Sequence, residues 1–186
     1  MTESIRVAGI AGSLRKNSLN RSLLRAAKML APDGMEIEIF DLADVPLYNG
    51  DVESVGDPPS VVALKDAIRS AHAVLFATPE YNHGVPGVMK NAIDWASRPP
   101  REAPLNGKPV GIIGASPGIT GTARSQSQLR QAFVFTNSYA MTQPELLVFR
   151  AQEKFDSDGN LTDETTAQFL GKYLQAFAVW IDHFIR

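Results

Sequence analysis

The sequence predicts an α/β fold with a parallel sheet. Three observations favour this class: short apolar segments of strand length recur along the chain, segments with helical spacing of apolar residues separate them, and polar turns rich in glycine or proline divide the two. Residues 73–78 and 110–114 are continuous apolar runs, as strands buried on both faces of a parallel sheet are. With 186 residues, the chain is long enough for a sizeable core, and we expect one domain over residues 1–186.

Apolar periodicity and turn residues place the individual elements. Five strands are predicted, at residues 5–10, 35–40, 73–78, 110–114 and 145–149. Five helices are predicted, at residues 19–30, 60–71, 86–95, 122–139 and 163–186, with Ser60 as the cap of the second. Residues 41–59 contain three prolines and two glycines and are predicted to form a loop.

The order of these elements indicates the topology. Strand–helix alternation with right-handed crossovers matches the flavodoxin-like fold, a five-stranded parallel sheet in the order 2-1-3-4-5 with helices on both faces. In such a sheet, ligands bind at the carboxyl ends of the strands, in the crevice between strands one and three. Three polar segments fall at this edge, residues 11–20, 79–84 and 115–122, and we expect the functional site there.

Composition excludes several classes of function. The formal net charge is −2, so no nucleic-acid partner is expected. No apolar run approaches the roughly 20 residues that span a bilayer, and the N-terminal residues lack the order of a signal peptide, so we expect a cytoplasmic protein with no membrane partner. The chain has no cysteine, and its three histidines have no metal-ligand spacing. We therefore expect no metal site, and redox chemistry would need a bound organic cofactor.

The first polar segment, GSLRKNSLN at residues 12–20, joins a strand to the N-terminus of a helix. Free backbone N–H groups and the helix dipole make such a position an anion site. Ser13, Ser18 and Asn20 add neutral donors, and Arg15 adds a planar charged donor suited to phosphate. A terminal phosphate is the expected ligand, although neither GxxxxGK[ST] nor GxGxxG is present. The alternative is that Ser18 only caps the helix.

The other two segments favour a flat ring beside that phosphate. Residues 79–82, Pro-Glu-Tyr-Asn, directly follow a buried strand, so their backbone groups can read the edge of a heterocycle and Tyr81 can stack on it. The alternative for this segment is a simple turn before a helix. The glycines of residues 114–122 allow close approach of the backbone to a ligand, but the same residues fit an ordinary loop.

Together the three segments resemble the NADPH-dependent FMN reductase family, which includes chromate and quinone reductases and related azoreductases. The match lies in residues 12–20, in PEYNHGVPGVMKNAIDW at 79–95, which is highly specific, and in GAS at 114–116. The resemblance implies that residues from all three segments bind FMN: Ser13, Leu14, Arg15, Ser18, Leu19, Asn20, Pro79, Glu80, Tyr81, Asn82 and Ser116. It assigns the FMN phosphate to the serines, arginine and asparagine of the first segment, and the isoalloxazine ring to residues 79–82.

The same resemblance implies an activity. We expect a hydride to pass from NADPH or NADH to bound FMN, and electrons then to a small-molecule acceptor such as a quinone, chromate, a ferric complex, an azo compound or free flavin, in a ping-pong cycle. Tyr81, Asn82 and Arg98 are active-site candidates, Arg98 as a contact for the nicotinamide cofactor. The alternative is a flavodoxin-type electron carrier without its own NAD(P)H turnover; flavodoxins are usually strongly acidic, so a net charge of −2 argues against it.

A homo-oligomer is also expected, because members of this family are typically dimers or tetramers with the flavin near a subunit boundary. The predicted helix that begins at the ring loop carries Met89 and Trp95. We expect both side chains to be partly exposed in a monomer and a dimer to be the basic unit.

Overall fold

The structure, a computed structural model, describes residues 4–185 and has the predicted α/β architecture. Within this range six strands form one sheet, numbered in chain order β1 to β6: Ile5–Ala11, Met35–Phe40, Ala73–Ala77, Pro109–Ala115, Tyr139–Ala140 and Leu146–Val148. The α-helices are α1 to α6: Leu19–Met29, Gly50–Val55, Pro59–Ser70, Gly87–Ala96, Ala123–Phe135 and Glu164–Ile185. No helix in the described range is both long and apolar enough to cross a membrane.

The strand order confirms the predicted topology. Strands β2, β1, β3 and β4 are neighbours in that order and all pair in parallel, with Gly9 of β1 opposite Leu75 of β3. The fifth position, predicted as one strand, is shared by β5 and β6, which both pair in parallel with β4. The predicted segment 145–149 corresponds to β6, and β5 is an additional piece of the same sheet edge.

The division of the fifth position leaves a break beside β4, and Tyr173 of α6 fills it. β5 pairs with β4 as far as Val110, and β6 begins to pair at Ile113. The N–H of Ile112, between them, donates to the hydroxyl of Tyr173 at 2.7 Å. Burial raises the pKa of this phenol, which keeps it protonated. Gly111 makes room for it, since a Cβ there would lie 2.9 Å from the hydroxyl oxygen.

Two apolar layers hold the helices on opposite faces of the sheet, as predicted. One layer contains Leu24 of α1 and Phe177 of α6. The other contains Leu64 of α3 and Phe133 of α5. Successive residues of β3 alternate between the two layers, as strand geometry requires. Each large apolar side chain buried in this way stabilises the fold by about 1.5–3 kcal/mol, so α3 forms although no side chain caps it.

The segment between β2 and β3 differs from its prediction in two places. Residues 41–59, predicted as a loop, include the short helix α2, because the side chain of Asn49 caps its first turn. Helix α3 begins at Pro59, so Ser60 lies inside the first turn and does not cap the helix. Proline is tolerated there because the first N–H groups of a helix have no helical partner.

The chain after α5 also differs from its prediction. Helix α5 ends at Phe135 rather than near residue 139. The chain then turns at Asn137, whose φ of 53° is more readily adopted by asparagine than by most residues, and enters β5. A strand of two residues has no periodicity, so the sequence pattern could not reveal it.

Helix α4 is buried more deeply than predicted. Met89 and Trp95, expected to be partly exposed, are both fully buried within the chain. The loop after β2 covers Trp95: its Nε1 donates to the carbonyl of Pro46 at 2.9 Å, and the ring of Tyr48 meets the indole edge-on with centroids 5.0 Å apart. The expectation was wrong because this cover comes from a segment that is distant in the sequence.

Candidate active site

The three candidate segments lie together because the strands before them are neighbours. The N–H of Gly12 donates to the carbonyl of Ala77 at 2.9 Å, and the N–H of Thr78 donates to the carbonyl of Ile113 at the same distance. Gly12 suits the close packing here, since a Cβ at this position would lie only 3.0 Å from the Cβ of Met89. The carboxyl ends of β1, β3 and β4 are thereby joined at one edge of the sheet.

Residues 13–18 form a turn rich in hydrogen-bond donors at the N-terminus of α1. Ser13 and Ser18 are both buried. Ser18 caps the helix, since its Oγ accepts from the N–H of Arg21 at 3.4 Å. A hydroxyl that accepts one hydrogen bond still has its own hydrogen to donate, so capping and phosphate binding are compatible. Among the described residues, no acceptor takes the backbone N–H groups of residues 13, 14, 16 and 17.

Arg15 carries the positive charge of this turn. Arg15 is one of the residues that line the cleft described below, and its guanidinium makes no ion pair or hydrogen bond with any residue between 4 and 185. Lys16 beside it is also exposed. Free N–H groups at a helix N-terminus, hydroxyls and an unpaired guanidinium are together the donor set that binds phosphate. The residues present therefore fit a cofactor that carries a phosphate.

Asn20 has a structural role that its sequence position does not reveal. Its side chain is buried and forms two hydrogen bonds with the backbone of Ala115: Nδ2 donates to the carbonyl at 2.8 Å, and the N–H of Ala115 donates to Oδ1 at 2.9 Å. This pair joins the start of α1 to the end of β4. The hydrogen-bond donors that Asn20 still offers to a ligand are one amide hydrogen and the backbone N–H in the first turn of α1.

The second segment makes a tight turn beside the first. The backbones of Tyr81 and Gly84 exchange two hydrogen bonds, at 3.1 and 3.0 Å. Asn82 and His83 between them have positive φ angles of 50° and 63°, as a two-residue type I′ turn requires, and both residue types tolerate this conformation. Tyr81 is half-exposed, and its hydroxyl lies 3.4 Å from the Oγ of Ser13. The turn therefore reaches across to the donor-rich segment.

The carboxylate of Glu80 binds the N-terminus of α5. Oε2 accepts from the N–H groups of Arg124 at 2.9 Å and Ser125 at 3.3 Å, and Oε1 accepts from Nη1 of Arg124 at 2.9 Å. Burial alone would raise the pKa of Glu80, but hydrogen bonds from the side chain of Arg124 and from both backbone N–H groups hold this pKa below its usual 4.5. Arg124 and Ser125 are not among the predicted site residues. One sequence feature points to their role: residues 123–126, the first turn of α5, include no carboxylate, so the helix N-terminus can accept one from another segment.

The third segment is held against β6. The N–H of Ser116 donates to the carbonyl of Val148 at 2.9 Å, and its Oγ accepts from the N–H of Gly118 at 3.1 Å. Gly114 allows this segment to approach the second, because a Cβ there would lie 2.6 Å from the carbonyl oxygen of Thr78.

A cleft at this edge of the sheet brings most of the predicted residues together. Those that line it are Ser13, Arg15, Ser18, Leu19, Asn20, Pro79, Glu80, Tyr81 and Ser116. Ala115 and Pro117, which flank Ser116 in the sequence, complete the lining. Leu14 and Asn82 are exposed beside the cleft and do not line it.

Arg98 lies away from this cleft within the chain. It follows α4, whose ten residues extend about 15 Å from the end that adjoins the cleft. Its guanidinium lies over the ring of Tyr48, 5.6 Å from the centroid. Together with Lys90, Asp94 and Phe135, it lines a separate depression. The structure therefore does not bring Arg98 to the residues that are predicted to bind FMN.

Comparison with known proteins places this geometry in a family. The profile of a family described as NADPH-dependent FMN reductase matches residues 5–153. The chain belongs to this family. An NAD(P)H-dependent FMN reductase of Pseudomonas aeruginosa is 49% identical over 181 residues, or 97% of each chain. A quinone reductase of Escherichia coli is 44% identical over 184 residues, also 97% of each chain. Among solved structures, the flavoenzyme NAD(P)H:(acceptor) oxidoreductase FerB of Paracoccus denitrificans has a TM-score of 0.88 and 41% identity, covering 96% of this chain and 98% of its own.

Membership in the FMN reductase family decides between an enzyme and an electron carrier. A flavodoxin of Pseudomonas aeruginosa has a TM-score of 0.58 but only 17% identity, so the likeness is one of fold alone. The chain is an oxidoreductase with FMN as its cofactor and NAD(P)H as its electron donor. Among residues 4–185, no group of three or more histidine and carboxylate side chains is arranged to hold a metal ion.

The Glu80 cap leads to a specific pH dependence of stability. Because the pKa of Glu80 is lower in the folded chain than its usual 4.5, its carboxylate stabilises the fold above that pH, and the contribution is lost as the pH falls through the lower, folded-state value. We expect Glu80→Gln to reduce the free energy of unfolding by about 1–2 kcal/mol near neutral pH, since Arg124 is partly solvated. This difference from wild type should shrink below pH 4.5.

Urea unfolding of both proteins at several pH values measures this difference. Asp66→Asn is the matched control, because it removes an exposed carboxylate that is paired with Arg69 on α3. It should cost less than about 1 kcal/mol. A Glu80→Gln difference that is as large in acid as at neutral pH would contradict the role of the carboxylate charge.

Proposed function

We propose that this chain, as one domain over residues 1–186, is a cytoplasmic NAD(P)H-dependent quinone reductase. The observation that carries the proposal is the cleft, which is lined by Arg15, by residues of the donor-rich turn before α1 and by the polar turn after β3. Quinones are favoured over chromate, ferric complexes, azo compounds and free flavin, because relatives named quinone reductase are 40% and 44% identical over nearly the whole chain.

We assign the phosphate of FMN to the turn before α1. Ser13 and Ser18 supply hydroxyl donors, and Arg15 supplies a fork of N–H donors that matches phosphate oxygens. The backbone N–H groups of residues 19 and 20, in the first turn of α1, add the positive end of the helix dipole. This assignment is supported by the burial of both serines and by the absence of a protein partner for Arg15 within residues 4–185.

We assign the ring of FMN to residues 79–82 and Ser116. FMN, when bound, supplies a ring that accepts a hydride from NAD(P)H and gives electrons to the acceptor. The role of the protein is to hold that ring, to limit its exposure to water and to leave an approach for the substrates. Tyr81 and Asn82 are exposed at the rim, where they can contact either substrate.

Steady-state kinetics tests the activity and its order. We infer that NAD(P)H and the quinone use the same cleft in turn, so double-reciprocal plots of rate against NADPH at several quinone concentrations should give parallel lines. Lines that intersect to the left of the axis would show that both substrates bind together. Two outcomes would contradict the proposal. In one, the purified protein fails to oxidise NADPH with any of the quinones tested; in the other, it reduces a quinone only when a separate reductase is added.

Replacing Arg15 tests the phosphate assignment. We expect Arg15→Ala to weaken FMN binding by about 1.5–3 kcal/mol, the size of a hydrogen bond to a charged group, and to leave riboflavin binding nearly unchanged, because riboflavin lacks the phosphate. Titration of the apoprotein with each flavin, followed by flavin fluorescence, measures both affinities. Lys16→Ala, which removes an exposed charge from the same turn, is the control. Equal losses for both flavins would refute the assignment.

A homo-oligomer with a dimer as its unit is part of this proposal. Val134 and Phe135 at the end of α5 are 77% and 80% exposed, and Phe135 adjoins the depression that contains Arg98. Adjacent exposed apolar side chains of this kind favour an interaction surface. Light scattering at micromolar concentration should give a mass that is at least twice the 20.2 kDa of one chain. A particle with the mass of one chain would rule this part out.

A further inference from the structure

The carboxylate of Glu80 faces α5 although its residue lines the cleft. Its side chain is only 7% exposed, and its two oxygens accept three hydrogen bonds from Arg124 and Ser125. A carboxylate bound in this way acts on a ligand through the position of its own main chain. That main chain, residues 79–81, forms one wall of the cleft.

Two further contacts tie the same segment to α5. The hydroxyls of Thr78 and Ser125 share a buried hydrogen bond of 2.8 Å. The N–H of Val85 donates to Oε1 of Gln128 at 3.0 Å. Together with the Glu80 cap, these contacts hold residues 78–85 against α5 at three points, Thr78, Glu80 and Val85. On α5 they all come from the first two turns of the helix.

Helix α5 is itself fixed to the far edge of the sheet. Gln126 is fully buried, and its Nε2 donates to the carbonyl of Leu146 in β6 at 3.0 Å. Nη1 of Arg130 donates to the carbonyl of Met141, just after β5, at 2.7 Å. The wall of the cleft at residues 79–81 is therefore positioned by α5, whereas the phosphate turn is positioned by α1 through the side chain of Asn20.

We propose that Glu80 is a positioning residue for the flavin ring, which fixes residues 79–81 by capping α5, with Arg124 and Gln128 as supporting contacts. The proposal rests on the assignment of the FMN ring to this segment. The two halves of FMN are then held by separate devices, the phosphate by the start of α1 and the ring by the start of α5. A change in the α5 contacts weakens binding of the ring, and therefore lowers the affinities for FMN and riboflavin alike.

The affinities of the full-length apoprotein for FMN and riboflavin separate the two devices. We expect Glu80→Gln to weaken both flavins by about tenfold, the effect of one charge-assisted hydrogen bond, and to leave the ratio of the two affinities unchanged. Arg124→Ala and Gln128→Met should weaken both flavins by less, about two- to fivefold, because each leaves the other contacts in place. The control Asp66→Asn should change neither affinity.

The visible absorption spectrum of bound FMN gives an independent readout, because its band positions depend on the surroundings of the ring. We expect the bands to shift in Glu80→Gln. They should stay at their wild-type positions in Asp66→Asn and in Arg15→Ala, whose change lies at the phosphate.

The outcomes distinguish this proposal from the phosphate assignment. If Arg15→Ala leaves the FMN-to-riboflavin ratio unchanged, the phosphate assignment fails and the Glu80 result stands by itself. If Glu80→Gln lowers the melting temperature but leaves both affinities and the spectrum unchanged, Glu80 only stabilises the fold and the proposal is overturned. Unequal losses for the two flavins overturn it too. Should Glu80→Gln not fold, Arg124→Ala and Gln128→Met decide by the same criterion.

Discussion

The parallel pairing of β1, β3 and β4 is the constraint on which the site depends. Because their carboxyl ends meet at one edge of the sheet, the polar segments that follow them lie side by side. The contact between Asn20 and Ala115, which are 95 positions apart, shows how closely the ends are joined. Antiparallel strands would have placed the same segments at alternate ends of the sheet, where they could not share one ligand.

Charge in the cleft is set by which groups find a partner within the protein. The negative charge of Glu80 is compensated by Arg124 and by the N-terminus of α5, while Arg15 has no partner among the described residues. The cleft is thus positively charged at the end near α1, whereas the charge of its wall near α5 is compensated. This distribution suits a cofactor with an anionic phosphate at one end and an uncharged ring at the other. It also explains how an acidic residue can lie beside the proposed phosphate site without repelling the phosphate.

Contacts between distant segments account for two of the places where the fold departs from its prediction. Trp95 is buried because residues 46–48 fold over it. The sheet tolerates a divided fifth position because the hydroxyl of Tyr173 accepts the N–H that a continuous strand would have bonded. An unsatisfied N–H in the interior would cost about 1–3 kcal/mol. The side chain of Tyr173 avoids this cost and so allows the fifth position to be divided between two short strands.

The sequence by itself determined the fold class, the strand order and the three segments that line the cleft, because apolar periodicity and turn residues are local signals that persist in the folded chain. It also determined that Ser18 can cap α1, since a cap is read from its immediate neighbours. Only the tertiary structure decided how the polar side chains are used. It directs Asn20 to β4 and Glu80 to α5, and it places Arg98 away from the cleft. The reason is that the partners of these side chains lie on elements far away in the sequence, and spacing along the chain carries no information about which of them a side chain will meet.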